Sequence, residues 1–512
     1  MKKLVSLLLA LVMALGCIPA MAVAEEPVTL SMFVDEWWWP YSDWTGEMPQ
    51  WFTEQTGINF DVTVAADTTE LSMMVVSDTL PDIVVTSQLN MMASGLICYD
   101  WPELIEKYGL DAKIHPAYQF VNTAADGGMY TIAVGWSADY EYAQYPTVNP
   151  EGTCLAMRKD IKDACMEKVG ITEITTVEEL EACFDACLEL YPDVVPLTIH
   201  DALQATRYVE ALYGAGHANL VDLDGKATYY IYDEKYETAL VKMNEWVRKG
   251  YVTAENFSWN GLNIAQDQVA AGKVFAIASL TSAPQNMTNI ASEAGLDHVY
   301  EALATCFTPD SKELSTDAGF RGLYITKNCS NPEAAIKAAL ALTSKDIGYC
   351  MLWGIEGEDW QWNEDHSEAE LFWTTADSEL MDRKQFLWGW LGHDGISNNM
   401  QYSNTPANRV ALSWVGAIID RNPVLGIVMN KLDSESDEYI LLQNLNELKT
   451  LYSSRIILAS SEEEAHALYA EMIQNADNMG GQDFNAWANE LYPTLMAEYE
   501  TVRGIGPEGW EK

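Results

Sequence analysis

Val28-Thr-Leu-Ser-Met-Phe-Val34, followed at once by Asp35-Glu-Trp-Trp-Trp39, is the stretch that sets the reading of this chain. Its first seven residues form a short apolar run that predicts a strand. Downstream, Pro49 to Thr56 reads as a helix closed by Gly57, Ile58 to Val64 as a second strand, and Glu70 to Ser77 as a short helix. Asp78-Thr-Leu-Pro-Asp82 then leads into the apolar run Ile83-Val-Val85. Strands alternating with helices predict an α/β protein whose parallel sheet is covered on both faces. In such sheets a ligand binds beyond the carboxyl ends of the strands, which is where Asp35 to Trp39 and Thr86-Ser-Gln88 fall.

The three tryptophans need an explanation, because each indole exposes a large apolar face with a single N–H to satisfy. In a strand at most two of them share one core face, so the third must meet a ligand or another part of the protein. Two readings stand at this point. Flat aromatic faces flanked by carboxylates suit a sugar cleft, where the ring packs on the C–H face of a pyranose and Asp35 or Glu36 accepts from its hydroxyls. Alternatively, the run closes one end of a hydrophobic core.

The N-terminus has the form of an export signal. Lys2 and Lys3 precede the apolar run Leu4 to Leu15, which is too short to span a bilayer, and small residues follow at Ala20, Ala22 and Ala24. Cleavage is expected after Ala22 or Ala24, with residues 1–24 as the signal. A competing reading makes Cys17 a lipidated N-terminus, although Leu15 is bulky where a small residue is preferred. A mature chain of about 490 residues is too long for one core and predicts at least two lobes. The formal charge of −47 becomes −49 without Lys2 and Lys3, a field that repels nucleic acid and anionic membranes and suits a neutral ligand better than an anionic one.

Nine cysteines in so long a chain do not form a disulfide framework, and no His accompanies any Cys at zinc-ligand spacing. Buried free thiols are the expectation, with one or two bridges left open, and neither a metal nor a cofactor is expected. Around Tyr140 to Gly152 the composition turns to Tyr, Pro, Asn and Gly, a candidate crossing between lobes. Beyond it Leu155 to Asp160 leads into a helix, Thr176 caps a helix reaching about Tyr191, and Leu240 to Lys249 reads as a helix closed by Gly250. Asp222-Leu-Asp-Gly-Lys226 lacks the spacing of a calcium loop and reads as a surface turn. Amphipathic helices are expected at 461–475 and 485–501.

Taken in order, several segments carry a resemblance. They are Trp51-Phe-Thr-Glu-Gln-Thr-Gly-Ile58, Val76-Ser-Asp-Thr-Leu-Pro-Asp-Ile83, Ala156-Met-Arg-Lys-Asp160, Gly322-Leu-Tyr-Ile-Thr-Lys-Asn-Cys-Ser-Asn-Pro-Glu-Ala-Ala-Ile336 and Leu352-Trp-Gly-Ile-Glu-Gly-Glu-Asp-Trp360. With the export signal in front, the chain resembles the extracellular solute-binding proteins of family 1, the ligand receptors of carbohydrate ABC importers. It departs from the family pattern in its weak lipidation signal, in Asp126-Gly-Gly-Met-Tyr130 and in the tryptophan triplet.

The resemblance implies a two-lobe, type II periplasmic-binding-protein-like fold that closes about a hinge on its ligand. Lobe 1 is expected over 27–145 with 318–395, and lobe 2 over 150–315 with 400–512. It further implies a monomeric receptor that delivers an oligosaccharide to the transmembrane permease of an ABC transporter. An oligopeptide receptor is the alternative, followed by a secreted glycoside hydrolase. Against catalysis, the sequence has no Gly-x-Ser-x-Gly elbow, no His-Glu-x-x-His and no phosphate loop, and its seven histidines are scattered singly. With 76 Asp and Glu, a carboxylate pair can be imagined anywhere and so argues nothing.

The candidate ligand residues are Asp35, Glu36, Trp37, Trp38 and Trp39, with Trp136 after an expected strand Tyr130 to Val134, and Trp259 and Trp353 beyond. Asp82 is expected to brace its strand and Arg158 to pair with a carboxylate. Trp388 and Trp390 are read as core or lobe interface.

Overall fold

In the computed structural model, which describes residues 26–199, 206–216, 219–259, 261–316, 318–374 and 377–508, eight strands build two principal sheets. They are β1 (Val28–Val34), β2 (Ile58–Val64), β3 (Ile83–Thr86), β4 (Thr153–Arg158), β5 (Val195–Ile199), β6 (Val274–Leu280), β7 (Tyr300–Ala302) and β8 (Gly322–Ile325). The expected export signal and Cys17 lie outside the described residues.

The first sheet has the order β8-β3-β1-β2, and its neighbours are parallel except β8, which returns antiparallel to β3. Alternation along β1 explains why it is central. Leu30, Met32 and Val34 enter one core with Phe52 and Trp388, while Phe33 enters the opposite core with Leu71 and Tyr130. The helix Glu47–Thr56 stops where Gly57 takes a left-handed φ of 69° and its N–H bonds to the Thr53 carbonyl. Asp82 braces the sheet as expected. Its carboxylate accepts from the Ser31 and Ser330 backbones and hydroxyls, tying β1, β3 and the segment after β8 together. Burial pushes that carboxyl up, but those hydrogen bonds outweigh burial and hold it below the ordinary value.

The second sheet runs β5-β6-β4-β7, with β4 antiparallel to both neighbours and β5 parallel to β6. β4 is buried throughout, with Leu155 and Met157 in the larger core and Cys154 and Ala156 in a smaller one. Helices Asp437–Ile457, Glu462–Met479 and Gly481–Val502 complete the larger core. Asp224 and Gly225 form the tip of a hairpin, as the turn reading implies, and the Asp222 carboxylate accepts from the Gly225 N–H at 2.7 Å. Thr176 caps Val177–Leu190 in a capping box with Glu179. Arg158 pairs with Asp160. The helix expected from Leu240 starts earlier, at Glu234, because Asp233 accepts from the Lys235 N–H and caps it there.

One expected strand is absent. Residues 130–134 make a single backbone bridge, Val134 to Arg321, and the Leu323 N–H bonds to the Thr131 hydroxyl in place of a ladder carbonyl. Residues 134–138, 318–321 and 393–396 lie side by side here. Gly135 N–H donates to the His393 carbonyl at 3.0 Å, Phe320 N–H to Val134 at 3.0 Å, and Ile396 N–H to the Ser137 hydroxyl at 3.0 Å. Away from these strands, Asn90 after β3 reaches the Met429 carbonyl at 3.2 Å. Cys98 to Cys350 are all free thiols, and all but Cys350 are buried. Among the described residues no helix is long and apolar enough to cross a membrane, and no group of three or more His, Cys, Asp or Glu could hold a metal ion.

Candidate functional site

A cavity of about 630 Å³ opens where these segments meet the carboxyl end of β6. Leu280 and Ser282 come from β6 and its exit, Trp136 and Tyr142 from the segment before β4, Phe320 from the approach to β8, and Trp390, His393, Asn398, Asn399 and Tyr402 from the chain after 385. Aromatic faces thus alternate with amides, which suits a ligand with both C–H faces and hydroxyls.

Several polar atoms in this wall are buried without a partner. Trp136 Nε1, Asn398 Oδ1 and Asn399 Oδ1 make no hydrogen bond, and the His393 ring has no side-chain partner and only a weak contact with the Trp390 backbone. Leaving such groups dry costs about 1–3 kcal/mol each, so a cavity that gathers them is poised to receive a hydrogen-bonding ligand. His393 is 3% exposed, and burial, reinforced by the Arg321 charge, pushes its pKa down to about 3 despite a weak opposing contribution from the Trp390 backbone. The imidazole is therefore neutral, with one donor and one acceptor nitrogen.

The tryptophan triplet forms a turn after β1, and its three rings meet three different fates. Trp39 is 5% exposed and packs against Trp388 in the first core, its centroid 5.4 Å away. Trp38 is 42% exposed and meets Trp390, a cavity residue, edge to face at 6.3 Å. Trp37 is 64% exposed. Glu36 holds the turn in place: one carboxylate oxygen lies 3.0 Å from Arg321 Nε, and the other accepts from Trp38 Nε1 at 2.9 Å. The Arg321 guanidinium lies 5.4, 5.2 and 5.0 Å from the Trp38, Trp39 and Phe320 rings. Asp35 is likewise engaged, accepting from Thr86 Oγ1 at 2.7 Å and Gln88 Nε2 at 2.8 Å, and burial raises its pKa against those bonds.

No protein-family model matches the sequence, and no curated protein matches it. Solved structures do align over almost its full length. The alginate-binding protein AlgQ2, solved without calcium ion, superposes with a TM-score of 0.69 at 13% identity, covering 92% of this chain and 98% of that one. An extracellular solute-binding protein from Bifidobacterium longum subsp. infantis gives 0.65 at 14%, covering 92% and 98%. The S. pneumoniae ABC-transporter substrate binding protein FusA, in complex with kestose, gives 0.65 at 15%, covering 92% and 100%. The fold is that of the solute-binding proteins. At this identity the likeness carries the two-lobe α/β architecture and assigns no residue a role.

Within this solute-binding fold, the structure brings Trp136 into the cavity wall and sets Trp38 one ring outside it. Trp259 and Trp353 are elsewhere. Trp259 packs against the smaller core beside β4. Trp353 is fully buried among Tyr349, Trp360 and Trp362, and its N–H donates to the Ser397 carbonyl at 3.3 Å, so neither ring face is open. Sequence reasoning missed Phe320, His393, Asn398, Asn399 and Arg421, and assigned Trp390 to core or lobe interface. The one local signal was the close spacing of Gly389, Gly392 and Gly395 around Trp390 and His393, which lets backbone segments approach closely. A Cβ on Gly395 would lie 2.8 Å from the Gly135 carbonyl oxygen.

Proposed function

We propose that this chain is an extracytoplasmic receptor that binds an oligosaccharide between two lobes and delivers it, unaltered, to the permease of an ABC transporter. The observation that carries this reading is the cavity itself, walled by Trp136, Phe320 and Trp390 and floored by unpartnered polar groups. Its fold relatives support it, since they include proteins described as alginate-binding and as complexed with kestose. The ligand-contacting candidates are Trp136 and Trp38, the latter packed on the cavity residue Trp390, with the exposed Trp37 next to it in sequence.

The proposed lobes are 27–145 with 318–395 and 150–315 with 400–512. In support, the core around β1 draws on residues 30–104 and 323–391, and the core around β4 on residues that reach 499, although the latter also takes in Ala117, Val121, Trp136 and Ala138 from the first segment. A receptor of this kind closes on ligand because ligand contacts both lobes only in the closed form. Residues 1–24 would serve as the export signal of a monomeric receptor, and the competing reading has the chain cut before Cys17 and lipidated there.

Thermal-shift measurement against oligosaccharides and peptides tests the reading, because a ligand held only by the folded state raises Tm. A rise with one saccharide class, with that saccharide recovered intact by chromatography, is expected. A rise with peptides alone would replace the carbohydrate reading, and shortened sugars would make the protein a hydrolase.

A further inference from the structure

The cleft's positive charges are already neutralised from within, and this bears on which saccharides it takes. Three guanidinium groups line or underlie the cavity, each with a carboxylate partner: Arg207 with Glu313 at 3.1 Å, Arg321 with Glu36 at 3.0 Å, and Arg421 with Asp139 at 3.2 Å. Arg421 also donates to the Ser137 carbonyl at 2.9 Å and lies 3.8 Å over the Tyr142 ring. A ligand carboxylate entering here would be desolvated and would have to displace a partner that the chain already holds in place.

Glu151 also lines the cavity and would add to the repulsion of an anionic ligand, and the other groups left for a ligand are uncharged. Trp136 Nε1 is a donor, His393 offers the ring nitrogen that does not face the Trp390 backbone, and Asn398 and Asn399 each present an unpartnered amide oxygen. Each of these side chains is more than nine-tenths buried, at 3%, 3%, 8% and 3% exposure, and all four line the cavity. Reversing either amide exchanges oxygen for NH2 and leaves the floor uncharged. A hydroxyl group both accepts and donates, so it can satisfy an indole N–H and an amide oxygen together, whereas a carboxylate only accepts and meets the oxygens unfavourably.

We propose that this floor selects an uncharged saccharide, held through its hydroxyls by Trp136, His393, Asn398 and Asn399, and rejects uronate saccharides of the same length. The inference rests on the carbohydrate reading above.

Calorimetric titration of the whole mature chain tests it, using neutral tri- and tetrasaccharides of several linkages and oligogalacturonates of equal length, at low and high salt. Binding of at least one neutral class, with no oligogalacturonate binding at either salt concentration, is expected. His393→Phe removes both ring nitrogens while keeping a flat ring, and Trp136→Phe removes only the indole donor. Each is expected to weaken the neutral ligand about tenfold, as for one lost hydrogen bond. Having both variants keeps the test standing if one fails to fold. Oligogalacturonate binding as tight as any neutral sugar overturns charge selection while leaving the carbohydrate reading intact. Folded variants that bind like the parent overturn the assigned floor. If no saccharide of either kind binds, the carbohydrate reading fails and this inference fails with it.

Discussion

Glu36, two residues past β1, lies 3.0 Å from Arg321, one residue before β8, and both side chains are buried. This pair clamps the strand that opens the first sheet to the strand that closes it, and through Trp38 Nε1 it also fixes the aromatic lip of the cavity. Removing one member of a buried pair leaves the other charge uncompensated. Glu36→Gln is therefore expected to destabilise the protein by about 3–5 kcal/mol, read by chemical denaturation. A loss below about 0.5 kcal/mol, typical of surface changes, would show that the pair is not a clamp.

The three adjacent tryptophans should separate by experiment as they do by exposure. Trp39→Ala opens a core cavity and is expected to cost about 3–5 kcal/mol of stability. Trp37→Ala should stay within about 0.5 kcal/mol. Trp38→Ala should leave Tm nearly unchanged and weaken ligands long enough to pass the cavity mouth. Melting curves and affinities for the three single variants check this, and equal destabilisation by all three would contradict the described turn.

Glu210, behind the Arg207–Glu313 pair, provides a pH signature. Burial raises its pKa from an ordinary 4.5 to about 7, against the hydrogen bond from Thr206. Between those values the folded state binds the proton and the unfolded state does not, so the contribution of Glu210 to stability is full below pH 4.5 and declines until about pH 7. Glu210→Gln should remove that decline, gaining stability relative to the parent as pH rises through this window. Parallel stability curves for the two proteins from pH 5 to pH 8 would refute the assignment.

Hinge closure is expected to show in small-angle scattering. A saturating ligand should lower the radius of gyration, since lobes joined by short crossings move unless a large apolar interface holds them. Identical profiles with and without a bound saccharide would count against closure.

How legible all this was in the sequence depended on the range of the interactions. β1, β2, β3 and the helices between them were readable because apolar spacing, Gly57 and the Pro81-Asp82 pair act locally. The same local reasoning held that at most two of Trp37 to Trp39 could share a core, although the residues form a turn and only Trp39 is buried there. Glu36 looked like a sugar-hydroxyl acceptor because its partner, Arg321, is 285 residues away. His393, Asn398 and Asn399 were unreadable for a related reason. A buried, unpartnered polar group has no local pattern, and only the approach of 134–138 to 393–396 turns these residues into a wall.

The central claim is that the cavity beside Trp136 and Trp390 holds a saccharide without altering it. Calorimetry of the mature chain with neutral oligosaccharides, followed by chromatography of the recovered sugar, tests this most directly. The account predicts saturable binding, weakened by Trp136→Phe, with the sugar's chain length unchanged. Absence of binding across the saccharide panel, or recovery of shorter sugars, would contradict it.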